Sequence, residues 1–485
     1  MKKILKSGFI IMVITIILLP NIVYAVPEKP PGESNMSPGE QSTTSISYVG
    51  ETTLSSDTIE KEKSFSSSVS NKNALLVSGG NSTITNCNVT KTGDSTGDNA
   101  DFYGTNAAIL THNGAILNID GGTITTNGSH ANAVFAYSNG IINIKNATIN
   151  TNGNNSGGVM VTGGGTLTAD NCNVKTLGNS SASIRSDRGG GNLTVNGGTY
   201  ETNGVGSPAV YSTANITVNN AILTSNASEG LVIEGANSIT INNTIVTDTN
   251  TTLNGNSQTY KNVFLYQSMS GDATSGNAVF NSKNSTLITN KGDTIFVTNT
   301  IATINLENTT ITNNDGDFLR IQTGKWGNSG NNGGDVTLNM SNQKVNGNII
   351  VDNISTLIIN MSSNSILMSS IDNENQAKKV SLKMSKDSIF SLTDDTYIDE
   401  LDNEDSSNNN IYSNGKYKLY VNGSEVSINS DEYNQSDEIS ISTNNEEKLT
   451  KENNKTIYIV ISVIIVSIIA FIIIFFKRKN SKKVS

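Results

Sequence analysis

The sequence is short of positive charge. It has 32 lysine and arginine residues against 42 aspartate and glutamate residues, a formal net charge of -10 at pH 7. Eight of the basic residues lie in two terminal segments, 1–25 and 477–485, that contain no acidic residue, so the chain between them carries a net charge near -18. So acidic a surface argues against nucleic acids and anionic lipids as ligands.

Cysteine and histidine are scarce as well, with two of each. Cys87 and Cys172 both occur in the phrase Asn-Cys-Asn-Val, which places them at one position of the first and fourth units of a repeat. Units stacked about 4.8 Å apart would separate them by roughly 14 Å, whereas a disulfide bond tolerates Cα atoms no more than about 7 Å apart. We therefore expect two separate buried thiols.

Between its termini the chain lacks helical periodicity and contains this repeat instead. Residues 107–208 are four variations on one pattern: an apolar run opening on alanine or glycine, a turn, an alternating strand, a T-I/V/Y-x-T segment and an asparagine-rich corner. Successive units begin 21 to 27 residues apart, at Ala107, Ala133, Gly158, Ala182, Ala209 and Gly230. Three short strands and three turns fill such a unit. The sequence therefore predicts an all-β fold, a right-handed parallel β-helix whose stacked coils bury their inward side chains.

Residues 1–25 have the form of a signal peptide. Lys2, Lys3 and Lys6 precede an apolar core, and Val23-Tyr24-Ala25 offers a small-residue cleavage site. An uncleaved anchor is the alternative, and in both cases the chain is exported.

A transmembrane helix is predicted over residues 457–476, an uncharged, isoleucine-rich stretch of 20 residues. That length spans a hydrocarbon core of about 30 Å. Because positive charge stays inside, the basic tail 477–485 is expected in the cytoplasm and the rest of the chain outside a single-pass cell-membrane anchor. The stretch resembles the membrane anchors of Gram-positive surface proteins, although no LPxTG sorting motif precedes it. A buried hydrophobic helix is the alternative.

The chain between these segments divides by composition. Residues 26–73 are predicted to be a low-complexity linker whose last part forms a possible N-terminal cap, because they are poor in apolar residues and rich in Ser, Thr, Glu and Pro. Residues 74–378 hold about eleven coils, a rod on the order of 50 Å long. Residues 379–430 still contain strand patterns and are predicted to form a C-terminal β cap, followed by an acidic disordered stalk over 431–456.

The repeat text carries a family resemblance, most clearly in SASIRSDRGGGNLTVNGGTYETNG and ATINLENTTITNND. From about Ala74 to Tyr420 the chain resembles the right-handed parallel β-helix proteins of the pectin-lyase-like class. It resembles more closely the Ser/Thr/Asn/Gly-rich, adhesin-like surface proteins of Gram-positive anaerobes. The resemblance implies the fold but no single function, because that class contains lyases, hydrolases, tail spikes and adhesins.

The hydrolases of this class resemble one another in Asn-Thr-Asp, Asp-Asp, Gly-His-Gly and Arg-Ile-Lys elements that set paired carboxylates. Here His112 and His130 lie in Thr-His-Asn and Ser-His-Ala, and Asp394-Asp395 lies beyond the repeats. Arg320, in the phrase Phe-Leu-Arg-Ile-Gln, is only a partial match to the last element, and we predict it as a ligand contact instead. We therefore expect no catalytic residue.

Pectate-lyase-like enzymes need a calcium-binding carboxylate cluster and an arginine base. The only dense charge cluster on the coils is Arg185, Asp187 and Arg188, beside three glycines, and it holds one carboxylate. We predict these three residues as ligand contacts, with exposed salt bridges as the alternative. The calcium-binding nonapeptide GGxGxDxUx is absent and acidic turns such as Asp315-Gly316-Asp317 are assigned to turn geometry, so we predict no metal and no cofactor.

Alignment of the opening strands predicts a ligand-binding face. One column holds Val134, Val159, Val210, Leu231, Val263, Ile295 and Leu319; the next holds Phe135, Met160, Ile184, Tyr211, Val232, Phe264 and Phe296; two positions further lie Tyr137, Glu234 and Tyr266. Successive residues of a strand face opposite sides, so one set points away from the core. An outward aromatic ladder is typical of a binding surface. A loop or terminal strand that covers it is the alternative.

Trp326, the only tryptophan, lies in a Gly/Asn-rich corner and is a further candidate contact, unless its indole packs back on the coils. Together these features predict a membrane-anchored, adhesin-like surface protein. We expect it to bind carbohydrate, or a surface protein of a host or neighbouring cell, through one face of the β-helix and to catalyse no reaction. A polysaccharide lyase or glycoside hydrolase, and a passive structural stalk, are the alternatives.

Overall fold

The computed structural model describes residues 46–254 and 258–433. The predicted signal peptide, the transmembrane segment 457–476, the basic tail and nearly all of the stalk lie outside these residues. No helix of the described ranges is long and apolar enough to cross a membrane. The described chain is a parallel β-solenoid, and the single helix found there is α1 (Asp98–Tyr103).

The strands follow one another along the chain in groups that form the coils. The first are β1 (Gly50–Leu54), β2 (Ile59–Lys61), β3 (Ser64–Ser67), β4 (Asn73–Val77), β5 (Asn81–Thr85), β6 (Asn88–Lys91), β7 (Ile109–Thr111), β8 (Ile116–Asp120), β9 (Thr123–Thr126), β10 (Val134–Tyr137), β11 (Ile141–Lys145), β12 (Thr148–Thr151), β13 (Val159–Thr162) and β14 (Gly165–Thr176). The middle coils contain β15 (Ile184–Ser186), β16 (Gly191–Thr202), β17 (Val210–Ser212), β18 (Asn215–Asn219), β19 (Ile222–Ser225), β20 (Leu231–Glu234), β21 (Ser238–Asn242), β22 (Ile245–Asp248), β23 (Lys261–Tyr266), β24 (Asn277–Lys283), β25 (Thr286–Thr289), β26 (Asp293–Thr298), β27 (Thr300–Glu307) and β28 (Thr310–Asn313). The last are β29 (Leu319–Ile321), β30 (Gly334–Ser341), β31 (Lys344–Asn346), β32 (Ile349–Val351), β33 (Thr356–Ser362), β34 (Ile366–Ser369), β35 (Lys379–Met384), β36 (Ile389–Leu392), β37 (Thr396–Ile398), β38 (Glu400–Asn403), β39 (Ile411–Tyr412), β40 (Leu419–Val421) and β41 (Ser424–Val426).

Each coil contributes one strand to each of three stacked rows. The first strands form a 12-stranded parallel sheet, β1-β4-β7-β10-β13-β15-β17-β20-β23-β26-β29-β32, which we call the first sheet. The second and third strands form a 22-stranded sheet, the second sheet, in which β14 and β16 each run through both rows. Towards the C-terminus the third row continues as β31-β34-β36-β39. The one antiparallel pair of the named strands is β40 with β41.

The solenoid has about 15 turns, so the predicted number of eleven was wrong. Residues 50–67 already form a coil, because β1, β2 and β3 pair in parallel with β4, β5 and β6. At the other end β35, β36 and β38 continue the rows beyond residue 378. Both regions lack the regular Gly/Asn phrases of the central units. In β3 only Phe65 faces the interior as a large apolar side chain, and it is 5% exposed.

One continuous apolar core fills the solenoid. The predicted interior column, from Val134 to Leu319, is fully buried in it. Asparagine supports the tight turn between second and third strands, where Asn146, Asn171, Asn220 and Asn243 adopt positive φ, a conformation that asparagine tolerates better than most residues. Cys87 and Cys172 are buried, unpaired thiols, which confirms the expectation of no disulfide bond.

Candidate ligand-binding face

The outer face of the first sheet collects the predicted site residues. From β10 to β29 its outward column runs Phe135, Met160, Arg185, Tyr211, Val232, Phe264, Phe296 and Arg320. Ile184 was placed wrongly in this column: it pairs with Val159 in the interior, and Arg185 takes the outward position beside Met160. The predicted unit starts at Ala107 and Ala182 were each one residue early, because Ala108 and Ser183 hold the positions of Ala133 and Gly158.

The longest insertions of the solenoid bracket this face. Between third and first strands the chain makes excursions over residues 92–108, which contain α1, and in the 249–260 insertion, of which residues 249–254 and 258–260 are described. Between first and second strands it does so over 267–276 and 322–333. The turns between second and third strands have at most four residues in the described coils, except for the seven-residue turn 404–410 near the C-terminal end. In a repeat protein, insertions that gather at one face commonly mark the face that binds.

A proximal aromatic cluster lies at the N-terminal end of the face. Phe135 is fully buried and Tyr137 is 7% exposed, and both pack with Leu76, Leu110 and Met160. Tyr48 and Tyr103 cover them, with ring centroids 6.1 Å and 5.6 Å from that of Tyr137. The helix α1 is fastened there by the Thr162 hydroxyl, which donates to the Phe102 carbonyl at 2.6 Å.

A charged cluster follows on the next coils. Arg185 donates two hydrogen bonds to the Asp187 carboxylate, at 2.7 Å and 3.1 Å. Arg188 joins two insertions, because it donates to Asp98 of α1 at 2.8 Å and to Asp272 of the 267–276 loop at 2.5 Å. Its guanidinium lies 3.9 Å from the centre of the Phe102 ring. With one hydrogen bond to each carboxylate and the ring contact, Arg188 connects two segments that lie more than 80 residues from it along the chain.

Glu234, on the outer face of the first sheet, holds the 267–276 loop against that face. Its carboxylate accepts hydrogen bonds from the hydroxyls of Tyr211, Tyr266 and Ser268, the bond to Tyr266 being 2.9 Å long. Burial raises the pKa of Glu234, and the three hydroxyl donors only partly oppose this.

Burial also raises the pKa of Asp187, to about 6, against the pull of Arg185; Asp272 adds to the rise. Asp187 and Glu234 occupy one outward column, separated by the coil of Thr213. Two coil rises of about 4.8 Å place their backbones roughly 10 Å apart.

A distal aromatic cluster completes the face. Phe264, Tyr266 and Phe296 are 4–8% exposed. Phe264 stacks on Tyr266 with centroids 4.4 Å apart, and Trp326 of the 322–333 loop covers Tyr266 at 5.4 Å. Arg320, beyond Phe296, donates to Asp293 at 2.7 Å and to Asp317 at 2.5 Å.

The structure thus brings all the predicted contact residues to one face, but the aromatic residues of its strands lie under insertions. Phe135, Tyr137, Phe264, Tyr266 and Phe296 do not face solvent, and their role in ligand binding stays a prediction. The sequence analysis missed the covering residues Asp98, Phe102, Tyr103, Ser268 and Asp272. The signal for them was present, because α1 and the 267–276 loop interrupt the repeat where no turn requires extra residues.

In the described ranges no group of three histidine, cysteine, aspartate or glutamate side chains could hold a metal ion. No protein-family model, curated protein or solved structure matches this chain.

Proposed function

We propose that the protein is a surface-displayed, adhesin-like binding module whose ligand contacts the outer face of the first sheet. The observation that carries this proposal is the position of the insertions, all four of which flank that one face. Purely structural coils need no such additions, since the turns between second and third strands have two to four residues in nearly all the described coils. The proposal includes the right-handed coil, the membrane anchor and the extracellular location predicted from the sequence.

The insertions and the turn between β15 and β16 offer polar contacts and one aromatic contact to a ligand. Asp98 is 65% exposed in its side chain and Arg188 38%, while Trp326 remains partly exposed above Tyr266. Hydroxyl-rich or amide-rich partners match such a surface, because carboxylate, guanidinium and indole groups recognise them by hydrogen bonds and by stacking. A polysaccharide or the surface protein of another cell therefore fits the face.

The test is a glycan and protein array probed with residues 26–456, followed by long incubation and analysis for cleaved products. We expect saturable binding without cleavage. Trp326→Ala should reduce that binding at least about tenfold, the loss expected of a central aromatic contact. The matched control is Lys145→Gln on the second sheet, whose lysine is 55% exposed and should not matter. Equal loss in both variants, or no binding at all, would count against the face.

A carbohydrate-active enzyme is the second candidate, favoured by the carboxyl pair Asp187 and Glu234. Their backbone separation of roughly 10 Å is close to the carboxyl spacing of inverting glycosidases, about 6.5–9.5 Å. Both carboxylates are already engaged, by Arg185 and by three hydroxyls. Cleaved products on the array that disappear in Glu234→Gln would establish the enzyme and reject the non-catalytic proposal.

A further inference from the structure

The corner that follows β22 holds an unusual residue for its position. Asp248, the last residue of β22, occupies an inward column whose other members in neighbouring coils are Thr176, Thr202, Ser225 and Thr289. In two of these coils the hydroxyl has a partner, since Thr176 donates to the Ser181 carbonyl and Ser225 to the Ser228 carbonyl. Asp248 is fully buried in their place, and an ionised carboxylate needs a partner that a hydroxyl does not.

The described residues provide no such partner. Neither carboxylate oxygen of Asp248 accepts a hydrogen bond, and the side-chain oxygens of Asn250 and Asn262 are unpartnered as well. Both asparagines are buried, at 2% and 0% exposure. Their orientations are fixed by their nitrogens: Asn250 donates to the Lys261 carbonyl at 3.4 Å and Asn262 donates to the Ile288 carbonyl at 3.1 Å. All four unpartnered atoms are therefore oxygen acceptors.

These oxygens belong to one corner. Asp248 is paired in register with Thr289, and the Asn262 amide also donates to the Thr289 hydroxyl at 3.1 Å. The Asn262 oxygen points down to the coil of Asp248: a Cβ atom on Gly230 would lie 2.2 Å from it and 2.8 Å from Cγ1 of Val246, two residues before Asp248. The Asn250 side chain reaches the Lys261 carbonyl, which adjoins Asn262.

The nearby ammonium group, that of Lys261, is paired with another carboxylate. Glu229 and Lys261 form an ion pair at 3.1 Å, and Lys261 also donates to the Thr259 carbonyl. The Asn290 backbone N–H is engaged by the Asp248 carbonyl rather than by its carboxylate. A buried carboxylate whose oxygens accept no hydrogen bond must take up a proton or a cation.

We propose that this corner binds a calcium ion through the carboxylate of Asp248 and the side-chain oxygens of Asn250 and Asn262. One carboxylate and two amide carbonyls, with no nitrogen or sulfur ligand, form a donor set that suits calcium and not zinc. The site stabilises the coil from which the 249–260 insertion departs. It also supports Lys261, whose ammonium lies 4.4 Å from the centre of the Phe264 ring on the candidate face.

The experiment uses the full chain, freed of metal with a chelator and titrated with Ca²⁺ by calorimetry and by thermal unfolding. We expect one site with an affinity in the range of extracellular calcium modules, about 10⁻⁴–10⁻³ M. Ca²⁺ at a hundredfold excess over the dissociation constant should raise Tm by about 3 °C. Asp248→Thr, which restores the residue type of the neighbouring coils, should fold without calcium and lose both the binding and the shift.

Two further variants test whether a change in Ca²⁺ binding arises from this site rather than from the acidity of the surface or from misfolding. Asn262→Ala, which matches Ala209 two coils earlier, should weaken binding about tenfold, as expected for one lost ligand. Asp315→Asn removes an exposed carboxylate elsewhere and should change nothing. The proposal is overturned if Ca²⁺ at 10 mM, on the order of tenfold above the weakest expected dissociation constant, leaves the Tm of the wild type unchanged. It is equally overturned if Asp248→Thr binds Ca²⁺ as the wild type does, since the oxygens would then hold only water or a proton.

Discussion

The two outer faces of the solenoid share one backbone plan and differ in almost every side chain. The second sheet presents ladders of like residues; Asn143 donates to Asn118 at 3.0 Å, and Asn219 and Asn242 extend a similar row from coil to coil at 2.9 Å. The first sheet presents aromatic, acidic and basic residues under four insertions. Both sheets must bury apolar side chains in the same core, so the difference between them lies in the outward side chains and loops. These are the positions where a protein can vary for function without disturbing the fold.

The largest effect should come from removing the aromatic support of the first sheet's outer face. The triple variant Tyr211→Ala, Phe264→Ala and Tyr266→Ala deletes packed rings and two donors to Glu234, and should lower the free energy of unfolding of this region by on the order of 6 kcal/mol. Amide exchange should show β23 and the 267–276 loop losing protection. Asn196→Ala, Asn219→Ala and Asn242→Ala together, the control on the second sheet, should cost about 1–2 kcal/mol. Similar losses in both variants would contradict the distinction between the faces.

A second prediction uses pH, because the fold raises the pKa of Asp187 on the first sheet and lowers the pKa of Glu201 on the second sheet. The pKa of Asp187 is raised to about 6 by burial. Its contribution to the free energy of unfolding is therefore fully present below about pH 4 and is lost as the pH rises to about 6. The free energy of unfolding of the wild type relative to Asp187→Asn should therefore fall by roughly 3 kcal/mol across that window. Urea unfolding between pH 4 and pH 7 measures it.

Glu201 on the second sheet supplies the opposite sign. Burial raises its pKa, but hydrogen bonds from Lys175 and Asn203 outweigh burial and leave the pKa lowered. The stabilising contribution of Glu201 is therefore lost as the pH falls. Glu201→Gln should be slightly less stable than the wild type at neutral pH and as stable as the wild type in acid. A wild-type advantage over Asp187→Asn that grows with pH would show that Asp187 is ionised without cost in the fold.

A smaller effect is expected from breaking the contacts of Arg188 with Asp98 and Asp272. Arg188→Met should cost about 1 kcal/mol, since the arginine is more than a third exposed and its ion pairs are screened. Limited proteolysis should nevertheless cut α1 and the 267–276 loop faster while the coils stay resistant. Lys283→Met breaks an ion pair of 2.7 Å with Glu307 on the second sheet and should alter neither digestion nor stability. Unchanged cleavage in Arg188→Met would mean that other contacts hold the insertions.

How much of this was visible in the sequence depended on whether a contact was local to the repeat. The interior column from Val134 to Leu319 follows from period-two alternation, and the buried thiols follow from coil spacing. The cover over the aromatic residues could not be predicted in the same way. Arg188 meets Asp98 and Asp272 across 90 and 84 residues, and no periodic pattern encodes a contact between two insertions.

The smallest effect should come from a single rung of the second sheet. Asn219 donates to Asn196 and accepts from Asn242, both at 2.9 Å, on a partly exposed surface where water replaces either bond. Asn219→Ala should therefore lower the free energy of unfolding by no more than about 1 kcal/mol. Amide exchange should stay unchanged beyond β18 and the strands of the adjacent coils. The ladder stabilises by repetition, so the loss of one rung leaves the neighbouring rungs intact, whereas each residue of the first sheet's face supports a different insertion. If Asn219→Ala also speeds the cleavage of the insertions, the two faces are coupled through the coil and cannot have diverged independently.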